Sequence, residues 1–490
     1  MFDSRKYYKT VEFLLFKALN ELYPSCKPIV HHSIQSGEYI RLDSIHGGIS
    51  GFVNPCLITS KIKEYILDEI PITTTPITSF TEGVRDNEFD KLFSRVDTLK
   101  TAFLHKCDGF ERVGLDEVYS NTSDVALFEI VAHRNGIILR TPKKVDDNIV
   151  IPDTHEDWKL TYAYNSQLNY LSLFTAERAN DLHEKVDNNT MCRFIVEVES
   201  DQEMRINNIA SSIRTRVINN DLKFIAVSGA SSSGKTTFSN KLKESLESDG
   251  TTNIIMLSLD DYYVNREDIP LDKDGIKDFE TLYSLDVGLL NSNLRDLERG
   301  LEVEIPIYDF KTGMRKEVGR KLKMGRRDLI LFEGIHGMNP KLIEGIASEH
   351  IYKIYVSCLN CVKVTDTHRV RTTMVRLMRR VVRDNLSRGF SADVTLEMWK
   401  RVRRGESIHI FPYQNEADVV FNTSLAYEIG VLKPHFLNSV EGSVSPLNPN
   451  FNTISTLLRY LEYFPSISSE DVPKDSLLRE FIGGSKFYSY

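Results

Sequence analysis

The second half of the chain alternates short, fully apolar segments with longer segments of helical periodicity. The apolar segments lie at residues 224–227, 254–257, 329–332, 351–356 and 419–421. Strands that are apolar at every position are typical of a parallel sheet that is covered on both faces. The pattern therefore predicts an α/β fold with a mostly parallel sheet and helices on both faces.

The first 195 residues show a different, α+β pattern. The spacing of apolar residues predicts a helix and three strands, over residues 11–22, 39–43, 126–131 and 137–139. Asn135-Gly136 predicts a turn between the last two strands. Further along, apolar residues at helical spacing between Ile206 and Val217 predict a helix that joins this region to the next.

These changes of pattern predict four parts of the chain. We expect an α+β domain, a linker helix, an α/β domain, and a loop followed by a helical tail, over residues 1–195, 196–222, 223–436 and 437–490.

Composition narrows the class of protein. Of 490 residues, 41% are hydrophobic and 27% are charged, which is typical of a folded globular protein. The formal net charge of −8 argues against a general binder of nucleic acids or anionic membranes, although a local basic face can be hidden in such a sum. Six scattered cysteines favour a reducing compartment, and we find no stretch of about 18 apolar residues. We therefore predict a cytoplasmic protein without a membrane partner.

A phosphate-binding loop is the strongest motif in the chain. The segment from Gly229 to Thr236 fits G-x-x-x-x-G-K-[ST] and lies between an apolar strand and a helical pattern, which is the context that the motif requires. Glycines let the backbone N–H groups surround phosphate oxygens. We expect ATP to bind at Gly229, Ala230, Ser231, Ser232, Ser233, Gly234, Lys235, Thr236 and Thr237. In this arrangement Lys235 bridges the terminal phosphates and Thr236 holds Mg²⁺.

Two acids follow apolar strands downstream of this loop. Asp260 stands at the end of the second strand, where a carboxylate can accept a proton from a substrate hydroxyl, and the adjacent Asp261 competes for that role. Glu333 ends the third strand and is suited to hold Mg²⁺. Either acid could instead be only a turn or a cap. No N-K-x-D segment is present, so the motifs favour phosphoryl transfer to a small molecule over a guanine-specific GTPase.

A basic segment interrupts this acidic chain. Residues 363–404 contain twelve Lys or Arg and four Asp or Glu, a local balance of +8. Four arginines lie at helical spacing on one stripe, at Arg376, Arg379, Arg380 and Arg383. Such a stripe is suited to close over a transferring phosphoryl group. A solvated charged face and an RNA-binding face are the alternatives.

From residue 224 to about residue 435 the chain resembles the uridine kinase and phosphoribulokinase family. The resemblance rests on six motifs in family order, which begin at residues 229, 257, 305, 332, 376 and 416. It implies that Asp260 is the catalytic base, that Glu333 lies near Mg²⁺, and that Lys235, Arg379 and Arg383 are catalytic. It also implies that Arg380 and Arg388 contact ATP, and that the substrate is bound by Tyr263, Glu280, Tyr308 and Arg376.

Two positions depart from the uridine kinase pattern. Glu280 replaces an Asp that holds the ribose hydroxyls, and Gly313 stands where those kinases place a base-contacting His. Glycine has no side chain that could read a pyrimidine, and loss of a buried polar contact costs discrimination. Uridine as the acceptor is therefore one possibility among nucleosides.

The first 195 residues resemble the editing-type additional domain of threonyl-tRNA synthetases, in residues 9–24 and 34–39. Lys9 and Phe13 occupy the positions of the metal-binding His pair of that domain, so metal-dependent editing is not expected. The pairs His31-His32 and Cys358/Cys361 lack a second pair at zinc spacing.

The prediction for the whole chain is an ATP- and Mg²⁺-dependent kinase that phosphorylates a small hydroxyl acceptor, in first place the 5′-hydroxyl of a nucleoside. A kinase of sugar phosphates, with Lys311, Arg315 and Lys316 as a basic pocket, is one alternative. A non-catalytic, ATP-binding regulatory protein associated with RNA is the other. We expect a homo-oligomer with a small-molecule substrate, and we do not expect RNA as a partner.

Overall fold

The computed structural model describes residues 2–34, 36–48, 53–77, 87–96, 102–145, 148–152, 158–220 and 222–488. The helices before residue 191 are α1 (Ser4–Leu22), α2 (Pro55–Leu67), α3 (Asn87–Phe93), α4 (Trp158–Leu173) and α5 (Ala179–Asp187). The strands of this part are β1 (Cys26–Ile34), β2 (Gly37–Ser44), β3 (Thr73–Ile77), β4 (Ala102–Cys107), β5 (Phe110–Gly114), β6 (Glu129–His133), β7 (Gly136–Arg140), β8 (Lys143–Val145) and β9 (Asn148–Val150).

The rest of the chain is richer in helix. Its helices are α6 (Met191–Asn220), α7 (Lys235–Glu247), α8 (Val287–Glu298), α9 (Thr372–Arg388), α10 (Ala392–His409), α11 (Glu428–Val440), α12 (Phe451–Leu461) and α13 (Arg479–Ile482). Its strands are β10 (Phe224–Ser228), β11 (Asn253–Ser258), β12 (Glu302–Ile305), β13 (Tyr308–Asp309), β14 (Met314–Arg315), β15 (Arg320–Lys323), β16 (Asp328–Glu333), β17 (Ile351–Ser357), β18 (Lys363–Thr365), β19 (His368–Arg369) and β20 (Val419–Asn422).

The chain forms two compact units whose segments are interleaved. The first unit comprises Met1–Met191, Asn360–Arg371 and Phe451–Ile467, and the second comprises Cys192–Leu359, Thr372–Asn450 and Ser468–Tyr490. The sequence-based boundaries placed residues 360–371 in the α/β domain and residues 451–467 in the tail. The structure assigns both segments to the first unit.

The first unit is an α+β structure built on antiparallel sheets. A four-stranded sheet has the order β1-β2-β7-β6, and a three-stranded sheet has the order β3-β4-β5. The apolar side of α1, including Val11, Leu14 and Leu15, is buried in one core with Ile40 and Leu139 of the four-stranded sheet. The apolar residues that predicted the helix are core residues, but α1 is buried on all sides from Thr10 to Leu19, so its buried surface is wider than the predicted apolar face.

Contacts within the first unit hold the two inserted segments. Asp366 is fully buried and forms ion pairs with Arg178 at 2.9 Å and with Lys27 at 2.7 Å. In the other segment, the Tyr460 hydroxyl donates to the Asp116 carboxylate at 2.9 Å. Buried polar contacts of this kind join residues far apart in sequence, and composition and local pattern do not reveal them.

The second unit contains the expected parallel sheet. Its five strands lie in the order β11-β16-β10-β17-β20, and each neighbouring pair is parallel. Every residue of β10 is buried, as expected for a central strand covered on both faces. On one face, Ile225 and Val227 share a core with Ile209 of α6 and Phe238 of α7. The predicted fold class is confirmed.

Three element boundaries differ from the sequence-based prediction. Strand β6 begins three residues later and ends two residues later than the predicted strand over residues 126–131, because its pairing with β7 continues to the tight turn, where His133 opposes Gly136. The linker helix α6 begins at Met191, before residue 196. Helix α11 continues past Pro434 to Val440, since Phe436 and Val440 are buried, so the loop expected from residue 437 begins after this helix.

No helix within the described ranges combines the length and the apolar character that crossing a membrane requires.

Candidate active site

The phosphate-binding loop connects β10 to α7 at the carboxyl end of the sheet. Gly234 is the N-cap of α7 and has a φ of +87°, a conformation that favours glycine. At Gly229 a Cβ atom would lie 2.0 Å from the carbonyl oxygen of Val356, so a side chain cannot be accommodated there. The two glycines of the motif are therefore required by the fold, and the N–H groups at the start of α7 face the loop.

Side chains from distant elements hold this loop in place. The Ser231 N–H donates to the Glu406 carboxylate at 3.2 Å, and the Ser231 carbonyl accepts from Arg376 Nε at 2.9 Å. Arg380 donates to the Ser231 hydroxyl at 2.6 Å. Two residues further along the loop, the Ser233 carbonyl accepts a hydrogen bond from the Thr423 hydroxyl at 2.6 Å. The loop conformation is thus fixed by α9, α10 and the residue after β20.

Three charged side chains converge beside the loop. Val227 and Ser258 flank Glu333 on the neighbouring strands β10 and β11, and a short 3₁₀ turn places Asp260 directly after β11. The Thr236 hydroxyl donates to Glu333 at 3.4 Å. The ammonium group of Lys235 interacts electrostatically with the carboxyl groups of both Glu333 and Asp260. The carboxyl edge of the sheet therefore gathers one ammonium group and two carboxyl groups, as the sequence predicted.

Burial perturbs all three groups. It lowers the pKa of Lys235, against the opposing effect of the nearby carboxylates. It raises the pKa of Asp260, against the opposing charges of Lys235 and Arg388. It also raises the pKa of Glu333 to about 7, with a further increase from the negative charges of Asp260 and Glu480. Such shifts are typical of functional sites, because catalysis needs groups that are held out of water.

The two adjacent aspartates have different surroundings. Asp260 faces Lys235, whereas Asp261 accepts a hydrogen bond from the backbone of Tyr308. Of the two, Asp260 is the one beside the lysine of the phosphate-binding loop.

An aromatic cluster, formed by Tyr263, Tyr308 and Phe310, follows the acids at this edge of the sheet. The ring of Tyr308 lies 5.5 Å from that of Tyr263 and 5.0 Å from that of Phe310, measured between centroids. The Tyr308 hydroxyl is buried and has no hydrogen-bond partner among the described residues. Glu280 has a buried carboxyl oxygen that is also unpartnered in the described part of the chain, and burial raises its pKa to about 7. Aromatic faces with free polar groups are suited to bind a polar ring compound.

The side chain of Arg266 occupies the space beside Gly313. Gly313 has a φ of +74°, and a Cβ atom there would lie 2.6 Å from Nε of Arg266. Arg266 donates to the Phe310 carbonyl at 3.0 Å and thereby lies across the hairpin of β13 and β14. A side chain at residue 313 would therefore require Arg266 to move aside and would adopt a backbone conformation that favours glycine. Nothing in the motif pattern indicated Arg266, because it approaches from a different loop.

The arginine stripe of α9 is mostly internal. Arg376 pairs with Glu406, and Arg379 pairs with Glu428 at 2.7 Å, all four side chains being buried. Arg383 pairs with Asp384 at 2.8 Å. The sequence revealed the stripe but not its partners, since Glu406 and Glu428 belong to other helices. A fully buried Arg379 does not fit the predicted role in a lid over the phosphoryl group.

Three arginines of this segment were predicted to contact a ligand: Arg380 and Arg388 to contact ATP, and Arg376 to contact the acceptor. Arg380 contacts the loop through the Ser231 hydroxyl, and its contact with ATP stays a prediction. Arg388 is 49% exposed, pairs with Asp384 at 3.5 Å, and its charge lowers the pKa of Asp260. Arg376 contacts the loop backbone through Ser231, which differs from the predicted contact with the acceptor.

One acidic residue at the site was not predicted. Glu480 of α13 accepts hydrogen bonds from the backbone N–H of Thr237 at 3.2 Å and from its hydroxyl at 2.9 Å. No motif pointed to this contact, because the tail is separated from the loop by more than 200 residues.

Comparison with known proteins agrees with this geometry. The model of the phosphoribulokinase / uridine kinase family matches residues 224–429. The uridine kinase of Staphylococcus aureus (strain JH9) is 29% identical over 197 residues, which cover 40% of this chain and 85% of that protein.

Two solved structures are similar at a lower level. A possible uridine kinase from Bacillus stearothermophilus is 21% identical, with a TM-score of 0.31, and the match covers 44% of this chain and 97% of that one. A putative fructose transport system kinase from Silicibacter sp. TM1040 is 16% identical, with a TM-score of 0.32, and covers 44% and 98%. The family match, the phosphate-binding loop and the parallel sheet together identify the region over residues 224–429 as a P-loop kinase of the phosphoribulokinase / uridine kinase family.

Proposed function

We propose that the protein transfers the terminal phosphoryl group of ATP to a hydroxyl group of a small molecule, in first place the 5′-hydroxyl of a nucleoside. The observation that carries this proposal is the convergence of Lys235, Asp260 and Glu333 beside the phosphate-binding loop. The loop supplies the phosphate donors, and Asp260 supplies a base. Phosphoryl transfer needs both, held in fixed positions.

The oxygen donors at the site fit Mg²⁺. The Thr236 hydroxyl lies beside the Glu333 carboxyl group, and hydroxyl and carboxylate oxygens are the ligands that Mg²⁺ takes together with substrate phosphates. When bound there, Mg²⁺ would neutralise charge on the phosphate oxygens. Since Glu333 has a pKa of about 7, the carboxyl group becomes an anionic ligand as the pH rises through neutrality.

The roles of the protein groups follow from their positions. Asp260 orients the acceptor hydroxyl and accepts its proton, because the carboxylate stands at the strand end beside Lys235. Lys235 and the loop N–H groups hold the transferred phosphate. Arg388 is exposed and close enough to influence Asp260, so of the predicted lid arginines it is the one best placed to stabilise charge that develops during transfer.

The acceptor class is inferred from the aromatic cluster and the carboxyl group of Glu280. Tyr263, Tyr308 and Phe310 offer ring faces, and Glu280 offers a carboxyl group that can bind hydroxyl groups. A nucleoside combines a planar base with a diol and fits these groups. Gly313 has no side chain with which to make the base contact of the uridine kinases, so the proposal does not single out uridine.

A kinase of sugar phosphates is supported less well. It would need a basic pocket near Tyr308, and Arg315 was one of the residues expected to form it. Arg315 instead donates to the Tyr263 carbonyl at 2.8 Å and pairs with Asp286 at 3.0 Å. The guanidinium charge of Arg315 is therefore already paired with the carboxylate of Asp286.

The test is an assay of ADP release with purified full-length chain, ATP and Mg²⁺. The acceptors are a set of nucleosides, a set of pentose phosphates and a set of free amino acids. We expect release above the rate without acceptor for at least one nucleoside. Release with pentose phosphates alone would favour the sugar-phosphate alternative, and no release with any acceptor would favour a regulatory, non-catalytic protein.

The likeness of residues 1–195 to threonyl-tRNA synthetases, the homo-oligomeric state and the cytoplasmic location stay predictions.

A further inference from the structure

The last part of the chain packs closely against the helix of the phosphate-binding loop. We define the tail as residues 468–488. Four of its side chains, Ser476, Leu477, Leu478 and Phe481, are fully buried. Leu477 belongs to the same apolar core as Phe238 on α7. The tail is therefore a docked part of the second unit.

This docking brings a carboxylate to the start of α7. Glu480 is buried and accepts from both the N–H and the hydroxyl of Thr237, at 3.2 and 2.9 Å. The Tyr488 hydroxyl, also in the tail, lies 3.2 Å from the same Thr237 hydroxyl. Two groups of the tail thus converge on one residue of the phosphate-binding motif.

The donors that Glu480 occupies are of the kind that a phosphate needs. Thr237 is the third residue of α7, so its N–H has no acceptor inside the helix and is free for an anion. Free N–H groups at a helix start, together with the partial positive charge there, form the phosphate site of a P-loop. A carboxylate in this place is a substitute for a phosphate oxygen.

The number of carboxyl groups around Lys235 gives a second argument. Lys235 lies within the field of three carboxyl groups, those of Asp260, Glu333 and Glu480. Asp260 and Glu333 have roles in the proposed reaction, but Glu480 has none. Its negative charge would repel an incoming polyphosphate, and this repulsion disappears only if the carboxylate moves away.

We propose that the tail is a competitor for nucleotide that is built into the chain. The Glu480 carboxylate occupies the Thr237 donors in the resting protein, and a nucleotide binds only after displacing it. The inference rests on the proposed function, because it takes the loop to be a nucleotide site, and it adds that the tail sets the affinity of this site.

The test compares the affinity for ADP of three full-length proteins by calorimetry: the wild type, Glu480→Gln and Asp475→Asn. Asp475 is a matched control, since it also lies in the tail and loses the same charge, but it pairs with Lys241 at 3.3 Å and does not contact Thr237. Glutamine forms a neutral hydrogen bond, which is weaker than the charged one, so we expect Glu480→Gln to bind ADP roughly tenfold more tightly. Asp475→Asn should match the wild type.

Equal or weaker binding of ADP by Glu480→Gln would overturn the inference. A second measurement needs no substitution: hydrogen exchange of the wild type should become faster at tail residues 479–488 when ADP is added, and unchanged or slower exchange would also contradict it. Lys235→Ala separates the two proposals. If this variant loses ADP binding, the nucleotide site stands whatever Glu480→Gln does, and if wild type and Lys235→Ala bind equally, both proposals fail.

Discussion

At the residue scale, the candidate site contains buried carboxyl groups whose pKa values lie near neutrality. Burial raises the pKa of both Glu333 and Glu280 to about 7. A group of this kind costs stability when it ionises, because the charge is held out of water. In the proposed function, the ionised carboxylate of Glu333 would bind a cation and the Glu280 carboxyl group would accept hydrogen bonds from the substrate.

The pH dependence of stability tests this description of Glu333. In the unfolded chain the carboxyl group loses its proton near pH 4.5, whereas the folded protein keeps it until about pH 7. Within this interval the folded state binds more protons, so stability falls as the pH rises, by roughly 3 kcal/mol when the titration is complete. We expect Glu333→Gln to lose less stability than the wild type between pH 5 and pH 8, as measured by urea unfolding without metal.

Glu203→Gln is the control for that experiment. Glu203 is exposed on α6, so the same chemical change should leave the pH dependence of the wild type in place. Identical pH profiles of Glu333→Gln and the wild type would contradict the assigned pKa.

At the scale of elements, ion pairs between helices determine where α9 lies. The pair of Arg379 on α9 and Glu428 on α11 is fully buried, and Arg379 also donates to the Thr423 carbonyl at 3.1 Å. Since the Thr423 hydroxyl holds the Ser233 carbonyl, this pair supports the phosphate-binding loop from behind. Arg379 is in this sense a positioning residue.

Removing one partner of this pair should be costly. We expect Arg379→Met to lower the free energy of unfolding by about 3 to 5 kcal/mol, because Glu428 is left as an uncompensated buried charge. Adding Glu428→Gln should restore part of the loss. The same substitution at Arg388, which is half exposed, should change stability by less than about 0.5 kcal/mol. Equal effects of the two methionine substitutions on urea unfolding would refute the structural role of Arg379.

The elements also show what could be predicted from the sequence. Runs of apolar residues identified all five strands of the parallel sheet, because a strand covered on both faces has no polar positions to obscure the pattern. The phosphate-binding loop and the acids at two strand ends were predictable because motif and topology coincide. The partners Glu406, Glu428 and Glu480 were not, since each approaches from an element whose local pattern carries no sign of its neighbour.

At the scale of the whole molecule, the first unit is assembled from three separate stretches of chain. Residues 360–371 and 451–467 belong to it, and they contribute the buried Asp366 and Tyr460. Residues 360–371 lie between strand β17 and helix α9, and residues 451–467 follow helix α11, so the order of the elements along the chain assigns them to the α/β domain and to the tail. A boundary drawn from composition therefore could not find this division.

A fragment of residues 1–191 should not fold on its own. It lacks the ion-pair partner of Arg178 and the Tyr460 hydroxyl that donates to Asp116, and the buried Phe89 ring would lose its contacts with His368 and Tyr463. We expect the fragment to show no cooperative thermal transition by circular dichroism and to be digested faster by protease than the same residues in the full chain. A sharp transition in the isolated fragment would show that the inserted segments are dispensable.

The central claim is that Asp260 is the base of a kinase, and two neighbouring carboxylates allow a direct test. With an acceptor identified by ADP release, Asp260→Asn should reduce the rate of transfer by roughly 10²- to 10⁴-fold, the usual contribution of a general base, while ATP binding persists. Asp261→Asn makes the same change one residue away, where the side chain accepts from the Tyr308 backbone, and should retain transfer. Undiminished transfer by Asp260→Asn would contradict the account.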